Sequence, residues 1–124
     1  MTMARMAIIA AAAAVLLAGA AFVVVKSRGA PRMPTSNVVM MSDLKNLALR
    51  QEQLKDSAGR YASSFAELDY SLSDGVTAPL IALTPDGYTI SVGHRATTAR
   101  CVIYSGSTAI APATRPDTPR CTGP

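Results

Sequence analysis

Residues 38–59 read VVMMSDLKNLALRQEQLKDSAG, and this stretch decides the fold class. Apolar or small residues recur at Val38, Met41, Leu44, Leu47, Ala48, Leu54 and Ala58, with Gln51 as a lapse. Steps of three and four place side chains on one face of an α-helix, whereas Asp43, Lys45, Asn46, Arg50, Glu52 and Lys55 fall mostly on the other side. The spacing predicts an amphipathic helix from Val38 to about Ser57 with its apolar stripe buried against a sheet. Thr35, Ser36 or Asn37 can cap its first N–H groups. Asp56-Ser57-Ala58-Gly59 closes it, with Gly59 free to take the left-handed position. The stripe reads as core rather than as a cofactor box.

Downstream, Ser63-Ser64-Phe65-Ala66-Glu67-Leu68 predicts a short helical turn capped by Ser63 or Ser64, with Phe65 and Leu68 facing inward. After Asp74-Gly75 the period changes to two. Val76–Leu83 is a strand candidate that Pro79 demotes to an edge or a bulge. Thr84-Pro85-Asp86-Gly87 is a turn, and Tyr88–His94 alternates, burying Tyr88, Ile90 and Val92. Residues 95–98 turn, Arg100–Ser105 is a third strand, and a short edge strand is expected near Ala109–Ala111 before a loop to Cys121. The expected class is α+β: one long helix on a small antiparallel sheet.

Upstream, Met6–Val25 is twenty residues without a charge or polar side chain, nine of them alanine. At about 1.5 Å per residue such a helix covers roughly the 30 Å hydrocarbon core of a bilayer. Its apolar anchor residues are Met6, Ala7, Ile8, Ile9 and Ala10, then Val15, Leu16 and Leu17, then Phe22, Val23, Val24 and Val25. Two readings stand. The run is a retained transmembrane helix, or a signal peptide with Arg5 as its positive end and Ala18-Gly19-Ala20 as a cleavage site. Phe22–Val25 continue past that site and favour retention. Lys26, Arg28 and Arg32 outweigh Arg5, which by charge alone places the following domain in the cytoplasm. Pro31 and Pro34 then break any helix running on from the apolar run.

The whole chain has 124 residues and a net charge of +4, with 49% hydrophobic, 5% aromatic and 16% charged residues. Its length excludes a one-chain polymerase, kinase or dehydrogenase. Residues 31–124 carry nine Lys/Arg against eight Asp/Glu, so the basic excess flanks the apolar run and is no nucleic-acid signal.

Cys101 and Cys121 are the only cysteines. A disulfide between them ties the Pro-rich segment of Pro112, Pro116 and Pro119 to the sheet and requires an oxidising compartment, against the charge argument above. Two cysteines and the single His94 do not make a structural zinc set. No phosphate loop, G-x-S-x-G or His-Glu-x-x-His is present, and Glu67 with Asp69 is no evident acid–base pair. Arg95 and Arg100 form at most a small basic patch near Tyr88 or Tyr104. The expectation is a non-enzyme without cofactor, metal, nucleic-acid or small-molecule site.

The run Asp43-Leu44-Lys45-Asn46-Leu47-Ala48, then Gln51-Glu52 and Gly59-Arg60-Tyr61-Ala62, resembles the helix end of type IV pilins and type II secretion pseudopilins. Leu68-Asp69-Tyr70, Gly75-Val76-Thr77, Gly87-Tyr88-Thr89-Ile90, His94, Cys101-Val102-Ile103-Tyr104 and Cys121 extend the likeness in order over about residues 42–121. The resemblance implies a helix against an antiparallel sheet, a disulfide-bounded C-terminal loop, no cofactor, and action through protein–protein contact. The prepilin start with its glutamate has no counterpart, because Met6–Val25 contains no glutamate.

The resulting organisation is a short tail (1–5), a transmembrane helix or signal peptide (6–25), a Pro-containing linker (26–36) and a pilin-like domain (37–124). The expected setting is single-pass in the cytoplasmic (inner) membrane with the domain on the periplasmic or extracellular side, its partners pilus or secretion-system proteins. The alternative is a secreted, signal-peptide-cleaved, disulfide-bonded binding domain.

Overall fold

The computed structural model describes residues 33–123. The tail 1–5, the apolar run 6–25 with its anchor residues, and the linker up to Arg32 lie outside the described residues.

Helix α1 spans Thr35–Ala58. It starts earlier than its apolar periodicity suggests, and Thr35, Ser36 and Asn37 lie inside it rather than capping it. Pro34 occupies the cap at φ −53° and ψ 140°, and its carbonyl accepts the N–H groups of Asn37 (3.0 Å) and Val38 (3.2 Å). A proline carbonyl thus does the work assigned to a hydroxyl. At the other end Gly59 adopts φ 75° and donates its N–H to the Lys55 carbonyl at 2.9 Å, the left-handed stop the sequence called for.

The buried face of α1 is Asn37, Met40, Asp43, Leu44, Leu47 and Gln51. The expected stripe was rotated at its start: Val38 is 51% exposed and Met40 is fully buried in its place. Two polar residues also belong inside. Gln51, expected as a lapse, is fully buried, and Asp43, expected on the solvent side, is 1% exposed. Each is there because a neighbouring segment brings backbone or hydroxyl groups that need a partner.

After α1, residues Phe65–Leu68 form a single 3₁₀ turn. The Glu67 carboxylate accepts the N–H groups of Ser63 (2.9 Å) and Ser64 (3.3 Å), and Leu68 is buried with Phe65 packed beside it. Four strands follow, all antiparallel in the order β1-β2-β3-β4: β1 Leu80–Thr84, β2 Gly87–His94, β3 Thr97–Ser105 and β4 Arg120–Cys121. Pro79 delays β1, as a residue with no N–H must, and leaves Val76 as a lone bridge to His94. Pro85 and Asp86 make the turn into β2. Gly87 is required there, since a Cβ would collide with the Ser105 carbonyl. A shift in register between Val92 and His94 bends the end of β2.

Tyr88, Ile90 and Val92 alternate inward as expected and meet Ala99, Cys101 and Ile103 of β3 beneath Met40, Leu44 and Leu47 of α1. The helix lies chiefly over β3 and β2. On the opposite face Val102 and Tyr104 are covered by Ala113 and Ile110, which belong to the loop after β3. The expected edge strand at Ala109–Ala111 is absent. That segment turns instead, into Pro112, and the fourth strand forms at Arg120–Cys121, opposite Val102 and Cys101.

Candidate functional site

The outward face of α1 is the first candidate. Residues advance about 100° per position in an α-helix, so Val38, Ser42, Lys45 and Leu49 line up opposite Met40, Leu44, Leu47 and Gln51. Val38 and Leu49 are 51% and 57% exposed, although both are apolar. With Met33 and Met41, Val38 borders a shallow groove of about 290 Å³ that Ser42 and Lys45 complete. The sequence signal for this face is apolar residues out of phase with the core stripe. Val38 also fits the spacing of the core stripe, which masks the signal.

A second hollow, about 510 Å³, lies between the end of α1 and the β1–β2 turn. Its cations are already engaged. Lys55 Nζ donates to the Gly59 carbonyl at 3.3 Å and sits 5.2 Å from the centre of the Tyr61 ring, while Arg60 Nη1 is 2.7 Å from Glu67 Oε1. Hydrogen bonds from Arg60 and from the Ser63 N–H hold the Glu67 carboxyl down to about 2. Tyr61 donates its hydroxyl to Glu52 at 3.3 Å and meets Tyr88 edge to face at 4.9 Å between centroids. Burial pushes the Tyr61 and Tyr88 phenols up from 10.0. The Tyr88 hydroxyl has no hydrogen-bond partner among the described residues. These contacts fasten the helix end to the sheet.

The Arg95–Arg100 patch does not assemble with Tyr88. Arg95 pairs with Asp74 at 2.7 Å, Arg100 donates to the Ser91 hydroxyl at 2.9 Å, and Tyr88 is buried on the other face of the sheet. His94, at the end of β2, accepts the Ala96 N–H on Nδ1 at 3.0 Å. Among the described residues no three His, Cys, Asp or Glu side chains gather as a metal-ligand set.

Cys101 and Cys121 face each other across β3 and β4 with Cα atoms 3.9 Å apart, joined through their sulfurs. Thr122 N–H donates to the Arg100 carbonyl (2.8 Å), and Arg100 N–H to the Thr122 hydroxyl (2.9 Å). Asp117 N–H reaches the Tyr104 carbonyl at 2.8 Å. The crosslink therefore secures a segment that runs along β3 from Arg100 to Tyr104.

Sequence reasoning missed Asp43 and Gln51. Asp43 accepts the Tyr70 hydroxyl (2.8 Å), the Ser73 N–H (2.9 Å) and the Ser73 hydroxyl (2.8 Å), tying α1 to the chain before β1. No spacing rule links residues that far apart. The anchor residues of the apolar run lie outside the described residues, and among the described residues no helix is long and apolar enough to cross a membrane.

Comparison of the chain with family models, curated proteins and solved structures found no match.

Proposed function

We propose that this chain is a non-enzymatic, membrane-anchored, pilin-like (pseudopilin-like) protein that acts by protein–protein contact in an envelope, secretion or pilus assembly. The apolar run Met6–Val25 is its single-pass anchor in the cytoplasmic membrane, and the domain from residue 33 onward lies on the outer side, where Cys101 and Cys121 oxidise. The observation that carries the reading is the outward groove of α1, where Met33 and Val38 are half exposed on the side of the helix opposite its buried face. Solvent-facing apolar residues that gather, as Met33 and Val38 do at this groove, mark a contact surface.

The test has two parts. The mass of the mature protein recovered from membranes is expected to include Met1 or Thr2. A chain beginning at Ala21 and found free of the membrane overturns the anchor in favour of a secreted binding domain. A photo-crosslinking residue at Val38 in the full chain is expected to trap discrete protein adducts, while the same residue at Asp56, on the same side of α1 but beyond the groove, is not. Equal labelling at both positions overturns the contact surface.

A further inference from the structure

The sheet has one usable edge. At one side β4 is only two residues long. At the other, β1 is five residues, Leu80-Ile81-Ala82-Leu83-Thr84, with nothing paired to its outer side among the described residues. The hydrogen-bonding sense of this edge follows from the ladder. Arg100, Val102 and Tyr104 point their backbone groups toward the β4 side, so Cys101, Ile103 and Ser105 face β2. Their partners Val92, Ile90 and Tyr88 then face β3, and Gly87, Thr89 and Ser91 face β1. Leu80, Ala82 and Thr84 answer them, which leaves the N–H and C=O groups of Ile81 and Leu83 pointing outward.

We infer that β1 pairs antiparallel with β1 of a second copy of this chain, about a two-fold axis at Ala82. In that register Ile81 of one copy exchanges both backbone bonds with Leu83 of the other, and Leu83 with Ile81. All four outward groups are satisfied. Ala82 faces Ala82 across the axis as a non-hydrogen-bonded pair, the closest kind of strand pair, where a small side chain fits best. Leu80 is opposite Thr84, and Ile81 is opposite Leu83 on the helix side of the sheet. Leu83 is 50% exposed and Leu80 68%, so both have apolar surface to cover.

Charge points the same way. Between Asp74 and Asp86 the chain has no ionisable side chain, so a two-fold axis at Ala82 brings no like charges together within the strand. Sheet edges are ordinarily guarded by lysine, an internal proline or a bulge, and β1 has none of these. Pro79 and Pro85 bound the strand and stop the pairing from running on. Using the one long edge in this way closes the assembly at two copies, with an eight-stranded sheet in the order β4-β3-β2-β1-β1-β2-β3-β4. A five-residue strand pair falls short of the roughly 1,200 Å² that a stable dimer buries, so the association is a weak, exchanging one that a covalent trap can capture.

The test uses the full chain with single cysteines added, oxidised mildly with the native crosslink intact. Ala82→Cys is expected to give a disulfide-linked dimer at least tenfold more readily than Leu80→Cys. Leu80 lies about 13 Å along the strand from its own symmetry mate, although the double variant L80C/T84C brings a pair together and crosslinks. Adding Leu83→Lys to Ala82→Cys is expected to lower dimer yield at least tenfold while the melting transition stays cooperative. Equal trapping at Leu80 and Ala82 overturns the register. A trapped product whose mass is not twice that of the chain overturns the second copy as occupant.

Discussion

The Gln51 side chain closes both backbone groups of Ala62: its Oε1 accepts the Ala62 N–H at 2.7 Å and its Nε2 donates to the Ala62 carbonyl at 3.0 Å. Both residues are fully buried. Gln51 thus substitutes for a strand neighbour at the point where the chain leaves α1. Gln51→Leu keeps the bulk and removes both partners, leaving a buried donor and acceptor at about 1–3 kcal/mol each. Urea unfolding of the variant is expected to show that loss, and an unchanged midpoint contradicts the role.

Asp43 performs the same service for the segment before β1. Its oxygens take three donors from Tyr70 and Ser73, and Asn46 Nδ2 adds a bond to the Tyr70 oxygen at 3.1 Å. A double-mutant cycle between Asp43→Ala and Ser73→Ala is expected to show coupling of about 0.5–3 kcal/mol, measured by chemical denaturation. Simple additivity refutes the network.

Glu67 contributes to the acid limb of stability. Its ordinary value of 4.5 falls to about 2 in the folded chain, so the unfolded chain takes up a proton first as the pH drops. The stabilisation it contributes is complete above pH 4.5 and is lost progressively toward pH 2. Glu67→Gln is expected to flatten the melting temperature across that window. The effect is modest because the pair is exposed to solvent. A carboxyl titration by NMR with its midpoint at the ordinary value rules the explanation out.

Tyr88 buries its ring usefully and its hydroxyl without a partner. Tyr88→Phe is therefore expected to leave the melting temperature unchanged or raise it. Tyr88→Ala costs about 3–5 kcal/mol, as truncation of a buried aromatic does. Because folding raises the phenol above its ordinary 10.0, stability is retained below pH 10 and falls as the pH rises further. The Phe variant loses part of that alkaline slope. Thermal melts from pH 8 to 11 provide the comparison.

Cys101 and Cys121 close a loop with a sequence separation of 20. A loop of that size contributes about 3 kcal/mol through the unfolded chain. Reduction, or the double serine variant, is expected to lower the melting temperature by roughly 10–20 °C. An unchanged transition contradicts the bond.

The parts of this fold that were legible in the sequence are those governed by local period. The inward alternation of Tyr88, Ile90 and Val92 needs only neighbours two apart, and the stop at Gly59 needs only its own φ of 75°. What was not legible depends on distant segments. Nothing near Asp43 foretells Ser73, and nothing near Gln51 foretells the Ala62 backbone. The phase error at Val38 has the same origin: Val38-Met41-Leu44 and Met40-Leu44-Leu47 both proceed by steps of three or four, and only the distant sheet decides that Met40 is buried and Val38 exposed. The fourth strand was missed because a two-residue strand has no period of its own. The cysteine pairing that locates it was read correctly as chemistry, but not as register.

The crosslink across β3 and β4 also sets how the domain answers to force. A pull applied beyond Cys121 passes directly through sulfur to Cys101, so the residues between them stay out of the tensioned path and cannot lengthen. Extension would have to begin outside that loop, in the chain that precedes Cys101. A protein tugged between a tether at one end and a grip at the other would keep its C-terminal loop folded until the core itself gave way.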